Sequence, residues 1–198
     1  MEDITISLDN RNEELDLSLY VLNHLPQDNP TAAKLGDIKA TLRMTAANDE
    51  MNLQVELGNT DSVRNEGIIS IASKLSKYKG KPMFDVRVLP TNIILNDSAW
   101  NIGQATIAYS MADKTMDIDN FSLSTNYQSI TANGRASDLA TDSIDVVLNN
   151  INLDYLLSYT EASKAISIMG PVTGQAQVYS VFSAPMLEAQ AQIRNGGL

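Results

Sequence analysis

Cysteine is absent from this chain of 198 residues, and histidine and tryptophan occur once each, as His24 and Trp100. Without cysteine there is no disulfide framework, no thiolate metal site and no thiol nucleophile. A lone histidine, followed by Leu25-Pro26, has no second imidazole with which to hold a metal. It also leaves the chain short of the side chain most often used to shuttle protons near neutral pH. The composition therefore points away from an enzyme, and no cofactor or metal is expected. Basic residues are few as well: 14 Lys and Arg face 24 Asp and Glu, for a formal net charge of -10. A phosphate-neutralising surface is not expected from that balance, which argues against nucleic acid as a partner. No stretch reaches about 18 consecutive apolar residues, and Met1-Glu2-Asp3-Ile4 is not a basic segment followed by an apolar one. Neither a membrane-spanning helix nor a signal peptide is expected within the chain.

What is present is alternation. Apolar and polar residues exchange with a period of two over most of the length, the signature of strands with one apolar face. Leu15, Leu17, Leu19 and Val21 alternate with Asp16, Ser18 and Tyr20; Ile38 to Ala46 and Met51 to Leu57 do the same. The pattern returns at Phe84, Val86 and Val88, at Met116 with Ile118, at Phe121 with Leu123, at Ile144, Val146 and Leu148, and at Leu187 to Ile193. Roughly a dozen strands result. Turn signals at Asp9-Asn10-Arg11-Asn12, Asn48-Asp49, Gly58-Asn59-Thr60-Asp61, Asn96-Asp97, Asp113-Lys114 and Asn133-Gly134 predict short connections, and hence a mainly antiparallel meander. Thr60 to Gly67 reads as a loop. Leu153, Leu156 and Leu157, at helical spacing behind Asn152, predict one short helix near residues 152–166 that ends before Gly170-Pro171. No composition shift divides the chain, so residues 1–198 read as a single sheet-rich segment of a longer protein.

An aliphatic sheet face must meet something. In a closed sandwich, large side chains from two sheets interdigitate across about 10 Å. This chain offers mid-sized aliphatics with one Trp and three Phe, which favours a long, shallow, incompletely filled interior. The residues expected to line it, as groove or core, are Ile69, Ile71, Phe84, Val86, Val88, Ile107, Ile118, Leu123, Ile130, Ile144, Val146 and Leu148.

From residue 82 onward the landmarks come in a specific order. Phe84-Asp85-Val86-Arg87-Val88 is followed by Pro90, Ile93-Ile94-Leu95-Asn96-Asp97, Trp100-Asn101-Ile102 and Ile107-Ala108-Tyr109. Then come Ile118-Asp119-Asn120-Phe121-Ser122-Leu123, Gln128 to Gly134, Asp142 to Val146, the expected helix, Gly170 to Ala176 and Ser183-Ala184-Pro185-Met186-Leu187. Residues 82–198 so read resemble the periplasmic region of the TamB (translocation and assembly module) family of the AsmA-like superfamily, in its Bacteroidetes-type form. Residues 1–81 agree only in being more alternating strand. The resemblance implies an elongated, strongly curved sheet, a β-taco, whose aliphatic concave side carries phospholipid acyl chains between the inner and outer membranes. It also implies a periplasmic location with an inner-membrane anchor outside this chain, and a role in assembling outer-membrane barrels with a BamA-like partner.

Smaller motifs have simpler explanations. Ser76-Lys77-Tyr78-Lys79 matches a Ser-x-x-Lys acyl-transfer spacing but lacks its companion Ser-Asp-Asn and Lys-Thr-Gly. Lys74, Lys77, Lys79 and Lys81 form the only basic concentration, suited to lipid phosphate or to a solvated hairpin tip. Asp117, Asp119 and Asn120, like Asp9, Asn10, Asn12 and Glu13, do not make a calcium loop and read as turn chemistry. Trp100 reads as a packing plug beneath a turn. The alternative to the groove is a closed β-sandwich binding module, an adhesin or glycan-binding domain, with Tyr20, Tyr78, Tyr127 and Tyr179 as its candidate exposed aromatics. Open strand edges in the groove reading imply self-association of the isolated chain.

Overall fold

A computed structural model describes residues 3–11, 14–23, 38–59, 63–95, 97–152 and 170–193, with side chains from residue 39 onward. Where apolar and polar residues alternate, the chain is extended. The strands are β1 (Asp3–Arg11), β2 (Glu14–Asn23), β3 (Ile38–Ala47), β4 (Glu50–Asn59), β5 (Glu66–Tyr78), β6 (Lys81–Val88), β7 (Thr91–Leu95), β8 (Ser98–Ile102), β9 (Ala105–Ser110), β10 (Thr115–Ser124), β11 (Ser129–Ala136), β12 (Ser143–Asn152), β13 (Pro171–Tyr179) and β14 (Met186–Ile193). All belong to one antiparallel sheet, in which neighbours in sequence are mostly neighbours in space. The described residues contain no second sheet, so the closed sandwich has no counterpart among them. The helix expected near residues 152–166 lies, but for Asn152, outside the described residues; Asn152 is the last residue of β12.

Two positions of the twelve-strand path are broken strands. β6 continues into β7 past Leu89-Pro90, and β8 continues into β9 past Gly103-Gln104, so the four make one long interrupted hairpin. Proline cannot donate to a ladder, and the strand breaks beside it. β5 holds both halves, pairing Ile71 with Val88 on one side of the break and Gly67 with Ile93 on the other. Between these pairs three residues of β5 thus oppose four of the β6–β7 segment. A side chain at Gly67 would run into Ile93, so glycine is what lets β7 approach. At the break is a buried apolar cluster: Val88, Ile93, Ile102 and Ala105 are buried, with Ile69, Leu95, Trp100, Phe121 and Leu123 against them. In one layer of sheet, burial of this kind requires the strands to bend toward their apolar side. Trp100 is the packing plug its surroundings in the sequence suggest.

Two β-bulges recur with the same parts. In β10, Ile118 faces Gly134 and Phe121 faces Ala132, so one extra residue is accommodated. In β12, Leu148 faces Gly174 and Ile151 faces Val172. Each bulge places an asparagine in the left-handed region, Asn120 at φ 60° and Asn150 at φ 57°. Each bulged amide donates to a side chain of the next strand, Asn120 N to Asn133 Oδ1 at 2.6 Å and Asn150 N to Thr173 Oγ1 at 3.0 Å. The glycines opposite, Gly134 (φ 127°) and Gly174, have no room for a Cβ against the backbone of the following strand. Asn133-Gly134 is therefore not the turn its composition suggests; it lies inside β11 and completes the bulge. Likewise Asp9, Asn10 and Arg11 belong to β1, and Gly58-Asn59 to β4, since cross-strand pairing overrides their turn preference. The expected turns at Asn48-Asp49 and Asp113-Lys114 are present, with Asn48 and Lys114 at positive φ.

Candidate apolar groove

Strand alternation and cross-strand register decide which residues share a face. One lateral row of paired positions crosses the whole sheet: Asn10, Leu15, Ala46, Met51, Ser73, Val86, Ile107, Ile118, Gly134, Ile144, Val178 and Leu187. Eleven steps of about 4.8 Å make this path about 50 Å long along the sheet surface. From Ala46 onward the side chains are seen, and apart from Ser73 and Gly134 they are apolar. Parallel rows run beside it, one through Met44, Leu53, Ile71, Val88 and Ala105, another through Leu123, Ile130, Leu148 and Gly174.

All twelve residues expected to line the interior lie on this one face. Val88 is buried in the cluster at the strand break, and Ile69 and Leu123 pack against that cluster. Ile71, Phe84, Val86, Ile107, Ile118, Ile130, Ile144, Val146 and Leu148 are half-buried. The two bulges keep the face continuous. A strictly alternating β10 with Ile118 inward would turn Phe121 and Leu123 outward, and the extra residue at Asn120 restores them; Asn150 does the same for Ile151. Ile151 and Val172, paired across β12 and β13, are among the least exposed side chains, and burying each is worth about 2 kcal/mol.

Aromatic rings close one end of this face. Phe84 stacks on Tyr109 with ring centroids 6.5 Å apart, and Phe182 meets Tyr109 edge-on at 6.1 Å. Tyr109 is on β9 and Phe182 is in the turn after β13, four strand spacings or about 19 Å away along the sheet. Their contact needs the sheet to curl toward its apolar side, with the β13–β14 turn carried over that side. Phe182 N also donates to Ser137 O in the β11–β12 turn. The buried serines Ser110, Ser137 and Ser180 gather at this end. None of the described residues leaves a buried side-chain polar atom without a partner.

The opposite face is polar and charged. Arg135 grips Asp117 through Nε at 2.6 Å and Nη2 at 3.0 Å, and Asp117 holds the guanidinium above its ordinary pKa. Gln177 donates to Asp145 and accepts from the Tyr179 hydroxyl, whose pKa is raised first by desolvation and then by Glu188 and Asp145. Of the lysine concentration, Lys79 occupies the β5–β6 turn, pairs with Asp113 at 2.8 Å and lies 5.0 Å from the Tyr78 ring centroid. The Asp113 hydrogen bond raises its pKa. That is a hairpin tip with a partner. Ser76 Oγ donates to Met83 O, and no acyl-transfer geometry accompanies it. Among the described residues no group of three or more His, Cys, Asp or Glu could hold a metal. His24 lies outside the described residues.

Several lining positions were not among the twelve expected to line the interior. Leu53 and Val55 on β4, Ile93 and Ile102 at the strand break, and Phe121, Ile151 and Val178 beyond it join the face through pairing. The signal for two of them was a spacing of three, Ile118 to Phe121 and Leu148 to Ile151, with Asn between. No family model, no curated protein and no solved structure matches the chain.

Proposed function

We propose that the apolar face holds lipid acyl chains, and that the chain is a segment of a TamB-like protein of the cell envelope, working in the periplasm and tethered to the inner membrane by a segment outside this sequence. The observation that carries this reading is the row from Met51 to Leu187, apolar apart from Ser73 and Gly134 and without a second sheet over it among the described residues. An apolar surface of this extent calls for a partner. A hydrocarbon tail suits it, because each methylene moved out of water is worth about 0.8 kcal/mol and the contact needs no hydrogen-bond register. Support of outer-membrane barrel assembly with a BamA-like partner rests on the resemblance alone.

Native mass spectrometry of the protein purified with phospholipid tests the proposal. Lipid adducts are expected on the unmodified chain, and their loss is expected in a Val86→Asp, Ile144→Asp double variant that retains its far-ultraviolet strand signal. A chain free of adducts under conditions that preserve weak complexes would contradict it.

A further inference from the structure

The polar side carries a second surface, independent of the groove. Asn101 pairs with Asn92 across β7 and β8 and with Ser124 on β10, which sets all three on the face opposite Leu123 and Ile102. Together with the β10–β11 turn and the β12 bulge they line a depression of about 680 Å³. Its lining among the described residues has no Asp, Glu, Lys or Arg, although the chain carries a formal net charge of -10. Three further depressions among the described residues, at β4–β10, at β12–β14 and at the β3–β4 turn, include charged side chains.

Amides replace the charges. Asn92, Asn101, Asn126, Gln128 and Asn150 line the depression, and much of their hydrogen-bonding capacity is unspent. Asn101 Nδ2 donates to Asn92 Oδ1 at 3.2 Å, which leaves Asn101 Oδ1 and Asn92 Nδ2 free of partners among the described residues. Asn150 Nδ2 is tied to Tyr127 O, leaving its oxygen. The side chains of Asn126 and Gln128 have no hydrogen bond to the described residues. At the rim Tyr127 is 79% exposed, the most exposed large hydrophobic residue among the described ones, while its turn is fixed by Thr125 Oγ1, which accepts from the amides of Tyr127 and Gln128.

We propose that this depression binds a neutral oligosaccharide. A carboxamide offers a donor and an acceptor side by side, which matches the paired donor and acceptor character of adjacent sugar hydroxyls. A rigid, exposed aromatic ring offers a flat apolar surface for the C–H face of a pyranose. The absence of charge in an acidic protein sets the ligand class: an anionic glycan would meet no cation, and a cationic ligand no carboxylate.

Binding is read by isothermal titration calorimetry with maltotriose, cellotriose and chitotriose, and with trigalacturonate and an uncharged Gln-rich peptide as comparators. At least one neutral trisaccharide is expected to give saturable binding, weakened about tenfold by Tyr127→Ala and retained by Tyr127→Phe. Gln128→Ala, another turn residue of the site, is expected to weaken the same sugar. Silence from all three neutral sugars, a response to trigalacturonate or the peptide alone, or equal sugar affinity in Tyr127→Ala would overturn the proposal. Lipid adducts on the groove bear on neither outcome.

Discussion

The strand break at β6–β9 and the β13–β14 hairpin are built from the same alternating code, yet their apolar residues end in different surroundings. At the break Val88, Ile93, Ile102 and Ala105 retain 8%, 8%, 6% and 1% of their exposure, whereas Leu187 on β14 retains 67%. A single sheet has no opposite layer to cover it, so burial depends on bending. The break supplies it with Pro90, Gly67 and a one-residue shift between β5 and β6–β7. β14 is paired on one side only among the described residues and has no such device. The sheet is thus stabilised unevenly: a packed hinge in the middle, and apolar rows beside it whose side chains remain available to a ligand.

Truncation at the two places should separate them. Ile102→Ala is expected to destabilise the fold by about 2–5 kcal/mol, the range for removing a buried aliphatic side chain without collapse of the cavity. Leu187→Ala is expected to change stability by no more than about 0.5 kcal/mol. Equal losses in urea denaturation would show that β14 is as well packed as the break.

The bulges sharpen the comparison at an intermediate scale. Gly134→Ala forces a side chain into the left-handed region at φ 127° and against the Ser143 carbonyl, and a loss of about 2–3 kcal/mol is expected. Asn133→Ala removes only the acceptor for the Asn120 amide, at an expected cost of about 1 kcal/mol. Reversal of that order in thermal melts would mean that the cap, and not the close strand approach, fixes the bulge.

The smallest effect belongs to the hairpin tip. Asp113 raises the pKa of Lys79, so the pair's contribution is present below the ordinary lysine value of 10.5 and is lost as pH rises through the raised one. The stability difference between the unmodified chain and Asp113→Asn should therefore shrink above pH 10.5. A difference that stays constant there would assign it to something other than the ion pair.

Alternation made the strands, their antiparallel order and the identity of the apolar face legible, because a period of two needs only nearest-neighbour chemistry. Val86, Ile107 and Ile144 were recognisable as one set for that reason. The bulges were not legible: Asn133-Gly134 has the composition of a turn, and only the pairing of β11 with β10 and β12 gives it another use. The packing of Ile93 and Ile102 was hidden for a similar cause, since it arises from a bend that joins β5 to β7 and β8 to β10. The Tyr127 depression draws on three separate stretches of chain, and no local pattern announces it.

Site-specific photocrosslinking in the presence of phospholipid tests the central claim most directly, with a photoreactive residue placed in turn at Val86, Ile144 and Leu148 on the apolar face and at Arg87, Asp145 and Asn149 on the other. Lipid attached at the first three positions and not at the last three is the predicted result; labelling of both faces alike, or of neither, would contradict a groove that holds acyl chains.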